Sequence, residues 1–327
     1  MYSQEIIDGI VEKAIRSQSF DREPQKLYRP IGYMLGLGGK HLRPRLCLTT
    51  YNLFSDHIDD HIIYPALALE TFHQFTLIHD DIMDNSPTRR GQPTVYALHG
   101  TSNAILSGDA MNILAYQYLA CAPSHLIGDA LKLFNDISLK VCEGQQLDMD
   151  FEDQALISMD EYMGMIALKT GVLISGAIKM GALLAEIPEA TTDALARYGM
   201  QSGLGFQIAD DYLDTFGDER VFGKPIGGDI VNNKKTWLLV ECMHRAASSA
   251  SDKKKLADLL KLDESHREEK IKGVRELYVN LGVKEDAGKA IMECYDKALE
   301  ALDEAKLSPE GRERMVILAD QMIHREK

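Results

Sequence analysis

Apolar residues recur at the three-to-four-residue spacing of an α-helix along almost the whole chain, and the two-residue alternation of a half-buried strand is nearly absent. The pattern predicts helices over 4–17, 60–84, 101–121, 125–150, 158–186, 190–215, 233–247, 252–262, 266–281, 284–304 and 309–325. No repeat of fixed period and no low-complexity linker interrupts them. The expectation is an all-α fold in one domain over residues 1–327. With 45% hydrophobic and 26% charged residues, the chain can bury a sizeable core.

A net charge of −14 makes a poor general binder of nucleic acid or anionic lipid. Five scattered cysteines without a CxxC pair form neither a disulfide framework nor a zinc site, and suit a reducing cytoplasm. At the N-terminus, Ile6, Ile7, Ile10, Val11 and Ala14 follow helical spacing; a basic start and a continuous apolar run are missing for a secretory signal, and Glu5, Asp8 and Glu12 argue against a mitochondrial transit peptide. Residues 162–187 are long enough to cross a bilayer. Lys169 and Lys179 lie inside that stretch, each opposing insertion by roughly 2.5–3.5 kcal/mol at a helix centre. A buried helix of a globular core is the reading, with no membrane span.

Three loops concentrate Gly and basic residues: 35–46 (LGLGGKHLRPRL), 85–95 (NSPTRRGQPTV) and 216–236 (FGDERVFGKPIGGDIVNNKKT). Two of them follow an aspartate cluster, DDIMD at 80–84 and DDYLD at 210–214. Positions four apart share a helix face, so Asp80 and Asp84 converge with Asp81 beside them, and Asp210, Asp211 and Asp214 repeat the arrangement. Crowded carboxylates repel unless cations neutralise them, and Mg²⁺ characteristically binds through one or two carboxylates plus substrate phosphates. A single DDxxD arises by chance in about one chain in five of this composition, two in about one in fifty. The reversed cluster Asp56, Asp59, Asp60 has no basic loop after it and reads as a solvated face. Before the first DDxxD stands an apolar, aromatic face (Phe72, Phe75, Leu77, Ile78), and five residues after it come Arg89 and Arg90. Apolar wall, carboxylates and paired arginines suit a substrate with a hydrocarbon tail and a diphosphate head, since arginine binds phosphate bidentately.

With these motifs in hand, the chain resembles the trans-isoprenyl diphosphate synthases, or polyprenyl synthetases. GGKHLRP (38–44), HDDIMDNSPTRRGQPTV (79–95), GQQLD (144–148), KTG (169–171), GFQIADDYLD (205–214), GKPIGGDI (223–230) and NKKT (233–236) occur in the family's order. One departure is His41, where the family usually carries Arg. The resemblance implies the isoprenoid synthase fold, a large helical bundle around a central cavity across which the two clusters face each other and hold about three Mg²⁺ ions. Asp80, Asp81 and Asp84, with Asp210, Asp211 and Asp214, match the metal positions. Arg89, Lys169, Thr170, Gln207, Lys224 and Lys234 match those that hold the allylic diphosphate. Gly39, Lys40, Arg43, His73 and Arg90 match the isopentenyl diphosphate pocket. Taken singly these residues say less: Lys169 reads as a snorkelling lysine, His73 as a core histidine, and Lys234 with Lys235 as a solvated pair at a helix start.

The implied reaction is head-to-tail transfer of an allylic prenyl group (dimethylallyl, geranyl or farnesyl) to isopentenyl diphosphate, giving a C20 or C15 all-trans product. At about 1.5 Å per residue, Thr76 and Phe75 lie roughly 6–8 Å from Asp80 along the helix, one to two isoprene units. By resemblance Phe75 beside the small Thr76 marks a C20 maker, with Phe72 a second candidate floor. A homodimer is the family's usual state. The rivals are a class I terpene cyclase or squalene-synthase-like enzyme, a silent subunit of a heteromeric synthase, and a structural cation-binding bundle. Cyclases lack the GGKHLRP pocket, and silent subunits typically lose one aspartate cluster. From about residue 245 no motif occurs, and SDKKKLADLL and ESHREEKIKG read as solvated helix faces.

Overall fold

The computed structural model describes residues 1–217 and 226–323. The described residues are overwhelmingly helical, as the periodicity predicts. The chain divides into two compact units, one of residues 1–138 with 176–196, the other of 139–175 with 197–327.

In the first unit the helices are α1 (Gln4–Arg16), α2 (Gln25–Gly36), α3 (Leu42–Asn52), α4 (Asp60–Met83), α5 (Val95–His99) and α6 (Thr101–Leu119). Between α4 and α5 lies a two-rung hairpin, β1 (Thr88–Arg89) and β2 (Gln92–Pro93), antiparallel with Arg89 opposite Gln92. α4 packs chiefly on α6 and α3. Ile31, Met34, Ile78, Val95 and Met111 interlock where α2, α4, α5 and α6 meet. Asp59 caps α4 by accepting from the His61 N–H at 2.9 Å. Asp56 accepts from the N-terminal ammonium at 2.7 Å. The reversed acidic cluster is the solvated face expected, with Asp56 and Asp60 exposed and Asp59 also serving as a cap.

α7 (Ile127–Glu152), α9 (Val172–Leu184) and α10 (Glu189–Phe216) each have residues in both units. The second unit holds α8 (Met159–Ile166), started by a capping box of Ser158 and Glu161. Later in it come α11 (Gly228–Val231), α12 (Trp237–Ala246), α13 (Ala250–Leu260), α14 (Arg267–Asn280), α15 (Val283–Glu304) and α16 (Pro309–Ile323). Its core includes Tyr162, Trp237, Leu238, Tyr278 and Val283.

Four local expectations are corrected. Helices α2 and α3 fall where no helix is predicted, and the 35–46 loop shrinks to residues 37–41, because Pro44 is accommodated in the first turn of α3. The helix expected over 158–186 is interrupted by a π-turn at Ala167–Gly171. Lys235 is buried, so Lys234 and Lys235 are no solvated pair. ESHREEKIKG is not wholly solvated either, since Lys270 is 1% exposed. The stretch Met159–Leu184 is apolar and long enough to cross a membrane, and 72% of its most apolar window is buried inside the protein. None of the five cysteines forms a disulfide.

Candidate active site

Each unit carries one aspartate cluster and its own basic partners. In the first unit, α4 delivers Asp80 and Asp81 on its last turn, and the Asp84 N–H closes that turn onto the Asp80 carbonyl at 2.8 Å. Asp80 and Asp84 are therefore held on one face. Asp81 turns inward and is 1% exposed. Arg89 grips it, with Nε 2.9 and 3.0 Å from the two carboxylate oxygens and Nη2 at 2.8 Å. Burial raises the Asp81 pKa and the Arg89 contact opposes the shift. The hairpin exists to aim this arginine: Arg90 and Gly91 at its tip take positive φ, and the Thr94 N–H bonds the Pro87 carbonyl at 3.0 Å.

Arg90 reaches from the hairpin to the GGKH loop, where its guanidinium donates to the Gly38 carbonyl. Gly39 takes φ +148°, which side-chain-bearing residues rarely adopt, and a Cβ there would stand 2.9 Å from that guanidinium and displace it. Gly39 and Arg90 are brought together as predicted. Beneath this loop lies a carboxylate that motif reading did not assign. Glu70, 2% exposed, bonds His41 Nδ1 at 3.0 Å and accepts from Gln74 Nε2 at 2.6 Å. Burial alone would raise its pKa, but the His41 hydrogen bond and the nearby Arg43 guanidinium hold it down at about 2. His73 is driven well below the usual imidazole range by burial and by Arg43, so it is neutral. His41, held by Glu70, takes the left-handed conformation (φ 42°) at the start of α3. The signal for Glu70 was available: a lone acid in the apolar run PALALETF has to be buried or paired.

In the second unit the π-turn presents Lys169 and Thr170. π-turns commonly mark functional sites because the extra residue redirects side chains. A Cβ on Gly144 would stand 2.3 Å from the Lys169 backbone nitrogen, so α7 touches the turn directly. One helical turn further along α7, Asp148 accepts from Lys169 Nζ at 2.6 Å. Thr170 Oγ1 donates to Gln207 Oε1 at 2.9 Å, and Gln207 Nε2 donates to Asp211 Oδ1 at 3.0 Å. Asp211 Oδ2 accepts from the buried Tyr162 hydroxyl at 2.5 Å and from the Trp237 N–H at 2.9 Å. Burial, reinforced by the Asp229 charge, raises the Asp211 carboxyl to about 7. Asp214 Oδ2 accepts from the Asp229 N–H at 3.0 Å. The Lys234 N–H bonds the Asp229 carbonyl at 2.9 Å. Lys224 lies outside the described residues.

The two clusters thus share a pattern. The middle aspartate, Asp81 or Asp211, is buried and occupied by protein donors, while Asp80 and Asp210 are half-buried. Among the described residues, no three His, Cys, Asp or Glu side chains form a ready-made metal cage. Hard carboxylate oxygens in ones and twos fit Mg²⁺ that completes its shell with water and phosphate. In the first unit an aromatic series runs back from the aspartates: Phe75 packs on His79 (4.8 Å between ring centroids) and on Phe72 (5.6 Å), and Phe72 packs on Phe134 (5.5 Å). Phe72 is 2% exposed, a core residue, whereas Phe75 is only partly buried. Thr76 returns its hydroxyl to the His73 carbonyl at 2.8 Å. Tyr162, Asp148, Asp229 and Lys270 join Glu70 as residues that carry the geometry without a predicted role.

Comparison with known proteins agrees with this geometry. The chain is 36% identical to the "Short chain isoprenyl diphosphate synthase" of Methanothermobacter thermautotrophicus over 318 residues, 97% of this chain and 96% of that one. It is 36% identical to the "Geranylgeranyl pyrophosphate synthase" of Geoglobus acetivorans, with 97% and 96% covered. A crystal structure of a geranylgeranyl pyrophosphate synthase superposes with a TM-score of 0.92 at 35% identity, covering all of both chains. The family profile described as "Polyprenyl synthetase" matches residues 24–278. With its aspartate clusters, its basic loops and these relatives in agreement, the chain belongs to the polyprenyl synthetase family.

Proposed function

We propose that this protein is a Mg²⁺-dependent short-chain prenyltransferase, condensing an allylic diphosphate with isopentenyl diphosphate into an all-trans C20 diphosphate, with C15 the next candidate product. The observation that carries the reading is that each aspartate cluster comes with its own basic groups, Arg89 at Asp81 and Lys234 near Asp211. In this reading both units act as one catalytic domain, and Asp80, Asp84 and Asp210 hold about three Mg²⁺ ions, with Asp81, Asp211 and Asp214 supporting them.

When bound, Mg²⁺ supplies positive charge that offsets the charge growing on the departing diphosphate. Arg89, Lys169 and Lys234, with Lys224, neutralise the same leaving group. The allylic C–O bond breaks, and the isopentenyl double bond forms the new C–C bond. Gly39, Lys40, Arg43, His73 and Arg90 hold the isopentenyl diphosphate, so that two fixed diphosphates supply proximity. The proton then lost passes to the released diphosphate, and no side-chain base is required. Thr170 and Gln207 direct oxygen dipoles to the allylic cation, and the aromatic series ending at Phe75 excludes water and limits chain growth.

The protein is proposed to work as a cytoplasmic homodimer. Support comes from five cysteines that form no disulfide and from the exposed apolar side chains Leu98, Ile105, Leu106 and Ile113 on α5 and α6. The test is product analysis: protein, Mg²⁺, dimethylallyl diphosphate and excess isopentenyl diphosphate, with dephosphorylated products sized against C10 to C40 standards. A dominant C20 or C15 alcohol supports the reading. Products of C30 or longer keep the enzyme class and discard Phe75 as the floor. No product from dimethylallyl, geranyl or farnesyl diphosphate moves the assignment to a cyclase or a silent subunit.

A further inference from the structure

The C-terminal helices carry none of the motifs, yet one lysine there is built into the segment that bears Asp229 and Lys234. Lys270, on α14, is 1% exposed. Its Nζ donates to the Val231 carbonyl at 2.8 Å and to the Leu262 carbonyl at 3.1 Å. Val231 ends α11; the Gly228, Asp229 and Ile230 carbonyls accept from the Asn232, Lys234 and Asn233 N–H groups, and the ammonium takes the Val231 carbonyl. Burying an ammonium is unfavourable unless hydrogen bonds compensate, and here both go to backbone.

Two further contacts fix the same segment. Asn233 Nδ2 donates to the Leu260 carbonyl at 3.0 Å. A Cβ on Gly227 would stand 2.6 Å from the Ile271 side chain of α14, so that side chain packs over the glycine. On the other side, α10 holds the ends of the segment. The Asp214 carbonyl accepts from the Gly227 N–H at 2.6 Å, the Asp214 carboxylate accepts from the Asp229 N–H, and the Asp211 carboxylate accepts from the Trp237 N–H. Residues 227–237 are therefore gripped at both ends by the second aspartate cluster and in the middle by Lys270 and Asn233.

We infer that Lys270 is a positioning residue for the allylic diphosphate site: it sets the turn after α11 so that Asp229 and Lys234 stand ready at the second aspartate cluster before substrate binds. This rests on the proposed role of Lys234 as a diphosphate ligand. Lys270 acts through the Val231 carbonyl and does not touch substrate.

The test is steady-state kinetics on full-length Lys270→Met, which keeps the buried methylenes and removes the donors. KM for the allylic diphosphate should rise about tenfold, as for one lost hydrogen-bonded constraint, and the Mg²⁺ requirement should rise with it. KM for isopentenyl diphosphate should stay within about twofold, because its ligands belong to the first unit. An unchanged allylic KM, or equal rises for both substrates with a lower melting temperature, overturns the inference and leaves Lys270 a structural residue. Should Lys270→Met fail to fold, Lys270→Gln carries the same test, because it stays polar but its shorter amide cannot hold both the Val231 and Leu262 carbonyls as the ammonium does. A wild-type protein that makes no prenyl diphosphate overturns the site reading itself. An active wild type beside an unaltered allylic KM in the variant overturns only the role of Lys270.

Discussion

Single carboxylates in this protein have sharply different tasks, and the difference lies in what surrounds them. Asp80 stands half-buried on the aspartate face while Asp81, one residue on, is buried against Arg89. Asp80→Asn should lower kcat by about 10²–10³-fold, as for loss of one group that stabilises transition-state charge. Its melting temperature should match wild type; a fall comparable to that of Asp211→Asn would make Asp80 structural. Asp211→Asn should lower both activity and melting temperature, since an amide cannot receive the Tyr162, Gln207 and Trp237 donors together. Glu70 is the pH-sensitive case. Its folded pKa of about 2 lies below the ordinary 4.5, so its stabilisation is complete above the unfolded pKa and is lost as pH falls from 4.5 towards 2. The shift corresponds to roughly 3 kcal/mol at 1.36 kcal/mol per unit. Thermal melts of wild type and Glu70→Gln should differ most near pH 6 and converge near pH 2.5. A constant gap across that range would remove the His41–Glu70 pair from the stability argument.

At the scale of elements, close approach of backbones decides where side chains point. Gly144 allows α7 to touch the π-turn, and Asp148 lies one turn along to receive Lys169. Gly144→Ala should destabilise by about 1–3 kcal/mol, as overpacking does, and should raise the allylic KM because Lys169 moves with the turn. The helix α4 poses a second question, which aromatic limits chain growth. Phe75 is partly buried and nearest the aspartates, so Phe75→Ala should lengthen the product by at least one five-carbon unit with a modest change in melting temperature. Phe72 is locked against Phe134, so Phe72→Ala should chiefly cost about 3–5 kcal/mol of stability. A longer product from Phe72→Ala and none from Phe75→Ala would exchange their roles.

For the whole molecule, the exposed apolar residues of α6 are the feature a lone subunit would not need. Leu106 is 57% and Ile113 61% exposed. Light scattering of the wild type should give twice the 36.5 kDa chain mass, and Ile113→Glu should give single chains whose melting temperature no longer depends on concentration. A wild type that runs as single chains at all concentrations would leave this stripe unexplained.

Helical class and the identity of the two aspartate clusters follow from sequence alone, because period and spacing are local and each motif is contiguous. α2 and α3 were hidden because Pro30 and Pro44 mask the helical pattern, and the π-turn because its one-residue shift leaves the apolar run unbroken. The sequence by itself determined which residues are acidic, basic or apolar at helical spacing, and so which could bind a metal-bound diphosphate. Only tertiary structure decided that Asp81 and Asp211 hold protein donors, that Glu70 supports His41, and that Lys270 is buried beneath Val231. Those assignments depend on partners tens of residues away, and a buried charge is tolerated only where such partners close around it.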